Sequence, residues 1–166
     1  MASYNEEMKK KIVTRLMVAT KVKIKINDIP ELRATLDAIC EEKTQLQLAQ
    51  WAVKLAEHTL TLVGYNYVAD PVIQSGLDTN RQWQTGAVRM FDVRQAGFKV
   101  HQLAKACNDP IIQAALRVAG QAVGTGHMRE HAMVASDYTI KAINLKYPGD
   151  ISAVKAEREW QIRTLK

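Results

Sequence analysis

The sequence Asn108-Asp-Pro-Ile-Ile-Gln-Ala-Ala-Leu-Arg-Val-Ala-Gly-Gln-Ala-Val-Gly124 contains a helix start, a helix body and a helix stop in succession. Asp109 can accept hydrogen bonds from the first free N–H groups of a helix, and Pro110 suits its first turn. The body, Ile111–Val123, is rich in alanine and larger apolar residues, and Gly124-Thr-Gly126 interrupts it. The stretch therefore predicts one helix with defined ends.

Similar start signals recur on both sides of this helix. Three pairs have the spacing of a capping box, namely Asp28 with Glu31, Thr44 with Gln47, and Asp92 with Gln95. Glycine or proline marks connections near residues 64, 71 and 148. The predicted helices are Tyr4–Ala19, a helix from Asp28, Thr44–Val63, Pro71–Leu77, Asn80–Phe91, a helix from Asp92 to Cys107, Ile111–Val123, Arg129–Tyr147 and Ile151–Leu165.

These signals predict an all-α fold, a compact multi-helix bundle of about seven to nine helices. Only 8 Gly and 4 Pro interrupt the 166 residues. Lys21–Ile26 is the exception, because it alternates lysine with Val22, Ile24 and Ile26 and so predicts a short strand or an extended arm. No second strand pattern is present to pair with it. The segment therefore pairs between subunits, which would give a homo-oligomer, or it is simply the end of the first helix.

The basic charge of the chain is concentrated near its start. The formal net charge is +6, but Met8–Lys25 holds seven Lys or Arg and no acid, and the remainder holds 16 basic and 17 acidic residues. We therefore expect a basic helix and arm over residues 1–26 and one near-neutral domain over residues 27–166. A solvated helix face explains the arm better than a phosphate or acidic ligand, and nucleic acid is an unlikely partner because no aromatic residue lies among these lysines.

Length and composition predict a cytoplasmic protein. No apolar run approaches the roughly 18–20 residues that span a bilayer, and no signal peptide is recognisable at the start. Cys40 and Cys107 lie among apolar helical residues without a catalytic motif, so we expect reduced thiols.

The glycine-rich stretch 117–132 is the most unusual in the chain. Gly120, Gly124 and Gly126 each cost helix stability of about 0.8–1.0 kcal/mol relative to alanine, which implies that some group approaches the backbone closely. A neighbouring helix is favoured over a ligand, and the lysine and Ser/Thr of a phosphate-binding loop are absent.

The same stretch contains a weak metal signal. His127, Glu130 and His131 spell the inverted zinc-peptidase pattern, and on a continuous helix the two histidines would share a face. A zinc site needs a third ligand, for which the candidates are Glu157, Glu159, His101 and Asp137. Two metal-free histidines with hydrogen bonds are the favoured interpretation, and His58 and His101 are likewise expected to be satisfied polar residues at a core edge.

Four segments follow one another in a distinctive order along the chain. They are Leu48-Ala-Gln-Trp-Ala-Val-Lys-Leu-Ala-Glu57, Gly97-Phe-Lys-Val-His101, Arg117-Val-Ala-Gly-Gln-Ala-Val-Gly-Thr-Gly-His127 followed by His131 and Tyr138, and Glu157-Arg-Glu-Trp-Gln161. Together they resemble a bacterial group of Imm-5-like immunity proteins. The resemblance implies a single all-α cytoplasmic domain that protects its cell against a protein toxin or bacteriocin. It implies no cofactor and no catalytic residue, and Glu130 is not part of the pattern.

The candidate binding residues are therefore His101, Arg117, His127, His131 and Tyr138. The leading hypothesis is a non-enzymatic protein that binds a toxin. The alternative is a small metal-binding protein or metal-dependent hydrolase that uses His127 and His131. A weaker hypothesis is an acidic-surface binder that acts through the basic arm.

Overall fold

The computed structural model describes Glu6 and residues 20–166, and this part of the chain forms seven α-helices and no strand. The all-α prediction of seven to nine helices is thus confirmed, while the predicted helix Tyr4–Ala19 falls, apart from Glu6, outside the described residues. The helices are α1 Pro30–Glu42, α2 Gln45–Leu62, α3 Pro71–Gln84, α4 Met90–Ala106, α5 Pro110–Gly124, α6 His131–Lys146 and α7 Ile151–Leu165, with a 3-10 turn at Tyr67–Ala69.

Helix α5 lies at the centre of the bundle and packs against α2, α3, α4 and α6. Its buried residues are mostly small, so neighbouring helices can approach on several sides; they are Ala114, Ala115, Leu116, Val118, Ala119, Gly120, Ala122 and Val123. The helix N-terminus is capped as predicted, since Asp109 Oδ1 accepts from the N–H groups of Ile111 and Ile112. The predicted Thr44 and Gln47 capping box of α2 is also formed.

Several predicted helix boundaries are wrong. Pro71–Gln84 is one helix rather than part of two, because the turn that ends it comes later, at Gly86, whose φ is 78°. Helix α4 then begins at Met90, before the predicted capping residue Asp92, whose carboxylate accepts from the Arg89 N–H group at 3.1 Å.

Asp28 does not cap a helix. Ile29 occupies the N-cap position of α1, and no side chain of the described residues caps this helix. Asp28 Oδ1 accepts instead from the Ile29 N–H group at 2.8 Å, and its carboxylate pairs with Arg158 of α7. The residue predicted as a cap therefore connects the segment before α1 to α7, which lies far away in sequence.

The arm segment from residue 20 to residue 27 has no regular secondary structure, so the predicted strand is not formed. It is nevertheless hydrogen-bonded to the helices. The Thr20 N–H group donates to Asp37 of α1 at 2.7 Å, and Asn27 exchanges two hydrogen bonds with Asn144 of α6. Ile26 packs against a small hydrophobic cluster around Ile140. This part of the arm therefore lies against α1 and α6.

Among residues 20–166, no helix is long and apolar enough to cross a membrane.

The two cysteines, Cys40 and Cys107, are free thiols. Burial raises the pKa of the Cys40 thiol to about 12, so this sulfur stays protonated at neutral pH.

Candidate functional site

Three of the four histidines line one cavity of about 240 Å³ beside the central helix. His101 projects from α4, His127 lies in the turn after α5, and His131 begins α6. The complete lining comes from these two helices, α5 and that turn, and consists of Arg94, Gly97, Phe98, His101, Gly120, Gly124, His127, Met128 and His131. We call this space the histidine cavity.

The glycines of α5 make room for two of the imidazole rings. A Cβ atom at Gly120 would lie 2.6–2.8 Å from three atoms of the His101 ring, and one at Gly124 would lie 3.0 Å from Cδ2 of His131. Gly126 is packed in the same way against side chains of α3 and α4. The predicted close approach to the glycine backbone is therefore confirmed, and side chains of neighbouring helices make it.

A short chain of polar contacts connects the two rings. Nη1 of Arg117 lies 3.0 Å from Nδ1 of His101, and because a guanidinium only donates, this ring nitrogen accepts. Oε1 of Gln121 lies 2.6 Å from Nδ1 of His131, and its amide nitrogen lies 3.5 Å from Nε2 of His101. Gln121 thus lies between the rings and accepts from His131. Its amide nitrogen and the protonated Nε2 of neutral His101 are both donors, so these two atoms share no hydrogen bond.

Some ring nitrogens at the cavity have no partner. Within residues 20–166, no hydrogen bond reaches Nε2 of His131 or either ring nitrogen of His127. Since nearly all buried polar atoms in native proteins are paired, these nitrogens face the cavity or solvent. They leave hydrogen-bonding capacity that the fold itself does not use.

The His101 and His131 rings in the cavity wall are uncharged at neutral pH. Burial, followed by the nearby positive charge of Arg117, lowers the pKa of His101 to about 4. Burial also lowers the pKa of His131, and the charges of His127 and of Lys23 in the arm act in the same direction. Both imidazoles are therefore neutral and present aromatic surface to the cavity.

The mouth of the cavity is exposed and aromatic. Phe91, Arg94, Phe98 and Lys105 recur along α4 at spacings of three, four and seven residues, so they share one face of the helix. The side chains of Phe91, Phe98 and Met128 are 56%, 49% and 46% exposed. Arg94 lies over the Phe98 ring, with its guanidinium carbon 5.4 Å from the ring centroid.

Cations without carboxylate partners surround this mouth. A shallow depression of about 500 Å³ adjoins the cavity through Phe98 and His101, and Lys99, Lys105 and Arg117 line it. In the described part of the chain, neither these three cations nor Arg94 forms an ion pair. We call Phe91, Arg94, Phe98, Lys99, Lys105, Arg117 and Met128 together the basic aromatic face.

A family model described as Imm-5 like putative immunity protein matches residues 38–166. This chain belongs to the Imm-5-like family. The match confirms the resemblance and includes the whole histidine cavity and the whole basic aromatic face, whereas the arm and the first turns of α1 precede it. Neither the curated proteins nor the solved structures include a match to the chain.

A second polar cluster of this Imm-5-like protein lies elsewhere, between the arm, α1, α6 and α7. Arg158 is fully buried and donates to both oxygens of Asp28, to Asp137, to Ser136 and to Gln161. Arg33 donates to the two Asp137 oxygens at 2.9 and 2.8 Å and to the Thr20 carbonyl. We call Arg158, Asp137, Arg33 and Asp28 the Arg158 cluster; its two cations balance its two anions.

Of the candidate third metal ligands, Asp137, Glu157 and Glu159 have partners outside the cavity, whereas His101 lines it and accepts from Arg117. Asp137 is held by the two arginines, and Glu157 accepts from Gln161 and contacts Nε2 of His58 at 2.8 Å. The His58 ring also stacks on Trp160 at 3.7 Å, so His58 is the satisfied core-edge residue that we expected.

The zinc-peptidase geometry is not formed. His127 lies in the turn before α6 rather than on the helix that begins at His131, and the two ring centroids are 6.0 Å apart and tilted by 33°. Among the described residues, no three His, Cys, Asp or Glu side chains come together to hold a metal ion. The helix predicted from Arg129 begins two residues later, and no continuous helix joins His127 to His131 on which the two rings could share a face.

The candidate residues thus fall into two groups. His101, His127 and His131 line the cavity and Arg117 binds His101, whereas Tyr138 is half-buried on α6, packs against the hydrophobic core and is absent from the cavity lining. Sequence reasoning overlooked Arg94 and Gln121. The helical spacing of Arg94 with two phenylalanines could have indicated the first, but no sequence signal marks the second.

Proposed function

We propose that this Imm-5-like protein neutralises a protein toxin by binding to it directly, without catalysing a reaction. Membership of a family described by immunity supports a protective role. The proposal goes beyond that description in naming direct binding as the means.

The basic aromatic face is the observation that carries this proposal. Phenylalanine, methionine and arginine are among the residues enriched in protein interfaces, and the cores of interfaces are where aromatic anchors bind. Here Phe91, Phe98 and Met128 are about half exposed. Arg94 lies over the Phe98 ring, and the cations of the adjoining depression, like Arg94, have no carboxylate partner among the described residues. A surface with this composition is suited to a protein partner.

The chemistry of the cavity supports a binding role rather than an enzymatic one. Among residues 20–166, its lining consists of glycine, histidine, phenylalanine, methionine and one arginine, without a carboxylate, a thiol or a hydroxyl. A general base needs a reacting group to act on, and nucleophilic catalysis needs a nucleophile beside the base. The cavity offers aromatic surface and hydrogen bonds instead.

The proposed location is the cytoplasm, because two free thiols suit a reducing compartment.

The proposed partner is not a nuclease. Inhibitors that block nucleases complement a basic active site with acidic groups, whereas the face described here is basic. A partner with an acidic surface fits it better.

Co-expression with each protein toxin encoded beside this gene tests the proposal. We expect one such toxin to lose its effect on growth and to co-purify with the protein in a stoichiometric complex. Unchanged toxicity and no complex for every neighbouring toxin would contradict the proposal. Self-association stays a prediction, which light scattering of the purified chain tests separately.

A further inference from the structure

We propose that the histidine cavity binds one aromatic side chain of the toxin, and that the cations around its mouth bind carboxylates that flank this side chain. This inference rests on the proposed function, because it assigns the binding site and the chemistry of the partner. The size of the cavity, the nature of its wall and the charge at its mouth each support it.

The cavity has the size of a side chain rather than of a cofactor. Its volume is about 240 Å³, below the roughly 300–1,000 Å³ of pockets that bury drug-sized ligands. A dry cavity of about 150 Å³ is already large enough to hold benzene. One aromatic ring therefore fits the space, which is smaller than the usual site of a cofactor.

The wall of the cavity is suited to an aromatic ring. The neutral rings of His101 and His131, the Phe98 ring and the Met128 thioether can contact a ring by its edge or its face. Nε2 of His131 and the His127 ring also remain available to a polar group on that ring. Gly97, Gly120 and Gly124 also line the cavity. The absence of a Cβ atom at Gly120 and Gly124 leaves room for the His101 and His131 rings that form its wall.

The mouth of the cavity is suited to negative charge. Arg94 lines the cavity, stays over the Phe98 ring and has no carboxylate partner within the described residues. Lys99, Lys105 and Arg117 extend the positive charge into the adjoining depression. An aromatic residue of the partner that has aspartate or glutamate beside it would satisfy both the cavity and these cations.

Small molecules that imitate this arrangement provide the direct test. The probe is 3-phenylpropionate, which carries a ring and a carboxylate. Propionate supplies the charge alone, benzyl alcohol supplies the ring alone, and 2-phenylethylamine reverses the charge. Binding is followed on the full chain by NMR, through the backbone amide signals of Gly97, Gly120 and Gly124.

We expect 3-phenylpropionate to shift these glycine signals with a dissociation constant on the order of 1 mM, because so small a ligand gains little free energy. Benzyl alcohol should bind more weakly, and propionate and 2-phenylethylamine should leave the signals unchanged. Unshifted glycine signals with 3-phenylpropionate, or equal binding of the amine, would overturn the assignment.

Matched variants separate the cavity from its surroundings. Arg94→Gln should weaken the binding of 3-phenylpropionate about fivefold by removing one charge-assisted contact, whereas Arg89→Gln, at the exposed start of the same helix, should leave it unchanged. Phe98→Ala should weaken binding, and Phe91→Ala, which removes an equally exposed ring outside the cavity lining, should not. Equal effects within either pair would place the probe elsewhere.

The toxin experiment distinguishes this inference from the proposed function. With a toxin that the native protein neutralises, the double variant Arg94→Gln/Phe98→Ala should lose most of the protection while keeping its melting temperature. Full protection by the double variant would leave the proposed function standing and refute this site. Conversely, probe binding without any neutralised toxin would support the cavity chemistry and contradict the toxin as its occupant.

Two other occupants are outcomes of the same experiments. A short oligothymidylate that displaces 3-phenylpropionate and binds more tightly would assign the face to nucleic acid and overturn the inference. A dimer in light scattering that Phe98→Ala converts to a monomer would assign the face to a second copy of the chain, with the same consequence.

Discussion

The Arg158 cluster and the histidine cavity are both partly buried groups of polar side chains, but they differ in how completely those side chains are paired. In the cluster, the guanidinium of Arg158 donates to carboxylate, hydroxyl and amide oxygens, and Asp137 is shared by two arginines. In the cavity, Nε2 of His131 and the His127 ring have no hydrogen-bond partner among the described residues. The hydrogen-bonding groups of the Arg158 cluster are used within the fold, whereas those of the histidine cavity remain available to a ligand.

This difference indicates where substitutions act. Removing one member of a saturated buried cluster leaves the others charged and unpaired, which destabilises the folded state. Removing a side chain from an open cavity costs the fold less, because water or a ligand can replace it. The following predictions test the contrast, from the largest expected loss of stability to the smallest.

Arg158→Met should produce the largest loss. The substitution leaves Asp28 and Asp137 with one arginine between them in a buried site, and we expect the free energy of unfolding to fall by about 3–5 kcal/mol. Denaturant unfolding followed by circular dichroism measures this loss. Lys155→Met, at an exposed position of the same helix, serves as the control, and an equally small effect of both variants would contradict the contrast.

Gly120→Ala should produce an intermediate loss. Its Cβ atom would lie 2.6–2.8 Å from the His101 ring, so the ring or the helix must move, at a cost of about 1–3 kcal/mol. Gly97→Ala meets only atoms at 3.6 Å or more and gains helix propensity of about 0.8–1.0 kcal/mol. Thermal unfolding should therefore show a lower melting temperature for Gly120→Ala and an unchanged or higher one for Gly97→Ala. Equal losses of stability in the two variants would show that the His101 ring is free to move.

Acidification should weaken the fold through the cavity histidines. The pKa of His101 in the folded protein is about 4, below the value of about 6.5 in an unfolded chain, so the unfolded state binds more protons between these values. The stability that neutral His101 contributes is therefore complete above pH 6.5 and is lost as the pH falls toward 4. His101→Gln, which can still accept from Arg117, should lose less stability between pH 6.5 and 5 than the native protein in parallel unfolding measurements.

Phe98→Ala should have the smallest effect on the fold. Its side chain is about half exposed, and exposed substitutions away from special features usually change stability by about 0.5 kcal/mol or less. Thermal unfolding checks this expectation. A loss comparable to that of Gly120→Ala would mean that the ring supports the helices rather than the mouth of a binding site.

The local features of the fold were accessible from the sequence. The starts of two helices are marked by Asp109 before Pro110 and by Thr44 before Gln47. The capping side chains form hydrogen bonds with groups no more than three residues away, so both partners can be recognised in a short stretch of sequence. A close contact at Gly120 and Gly124 was also predictable from the sequence. Glycine destabilises a helix relative to alanine, so two glycines in one helix indicate that a neighbouring group approaches the backbone there.

The long-range partners were not accessible. Asp28 has the spacing of a capping residue, yet its carboxylate pairs with Arg158, which is 130 residues later in the chain. The sequence offers Asp137 and Glu157 as candidate metal ligands, because it does not show their partners. In the structure Asp137 accepts from Arg33 and Glu157 accepts from Gln161. The cavity combines His101 from α4 with His131 from α6, and only the packing of both helices on α5 brings them together.

The Arg158 cluster also bears on where a shortened chain can begin. The family match starts at residue 38, but Asp28 and Arg33 lie before that position, and both bind members of the cluster on α6 and α7. A fragment that starts where the similarity starts would leave Arg158 and Asp137 to each other in the protein interior. A fragment that starts at residue 20 retains every charged member, so we expect it to be more stable than one that starts at residue 38.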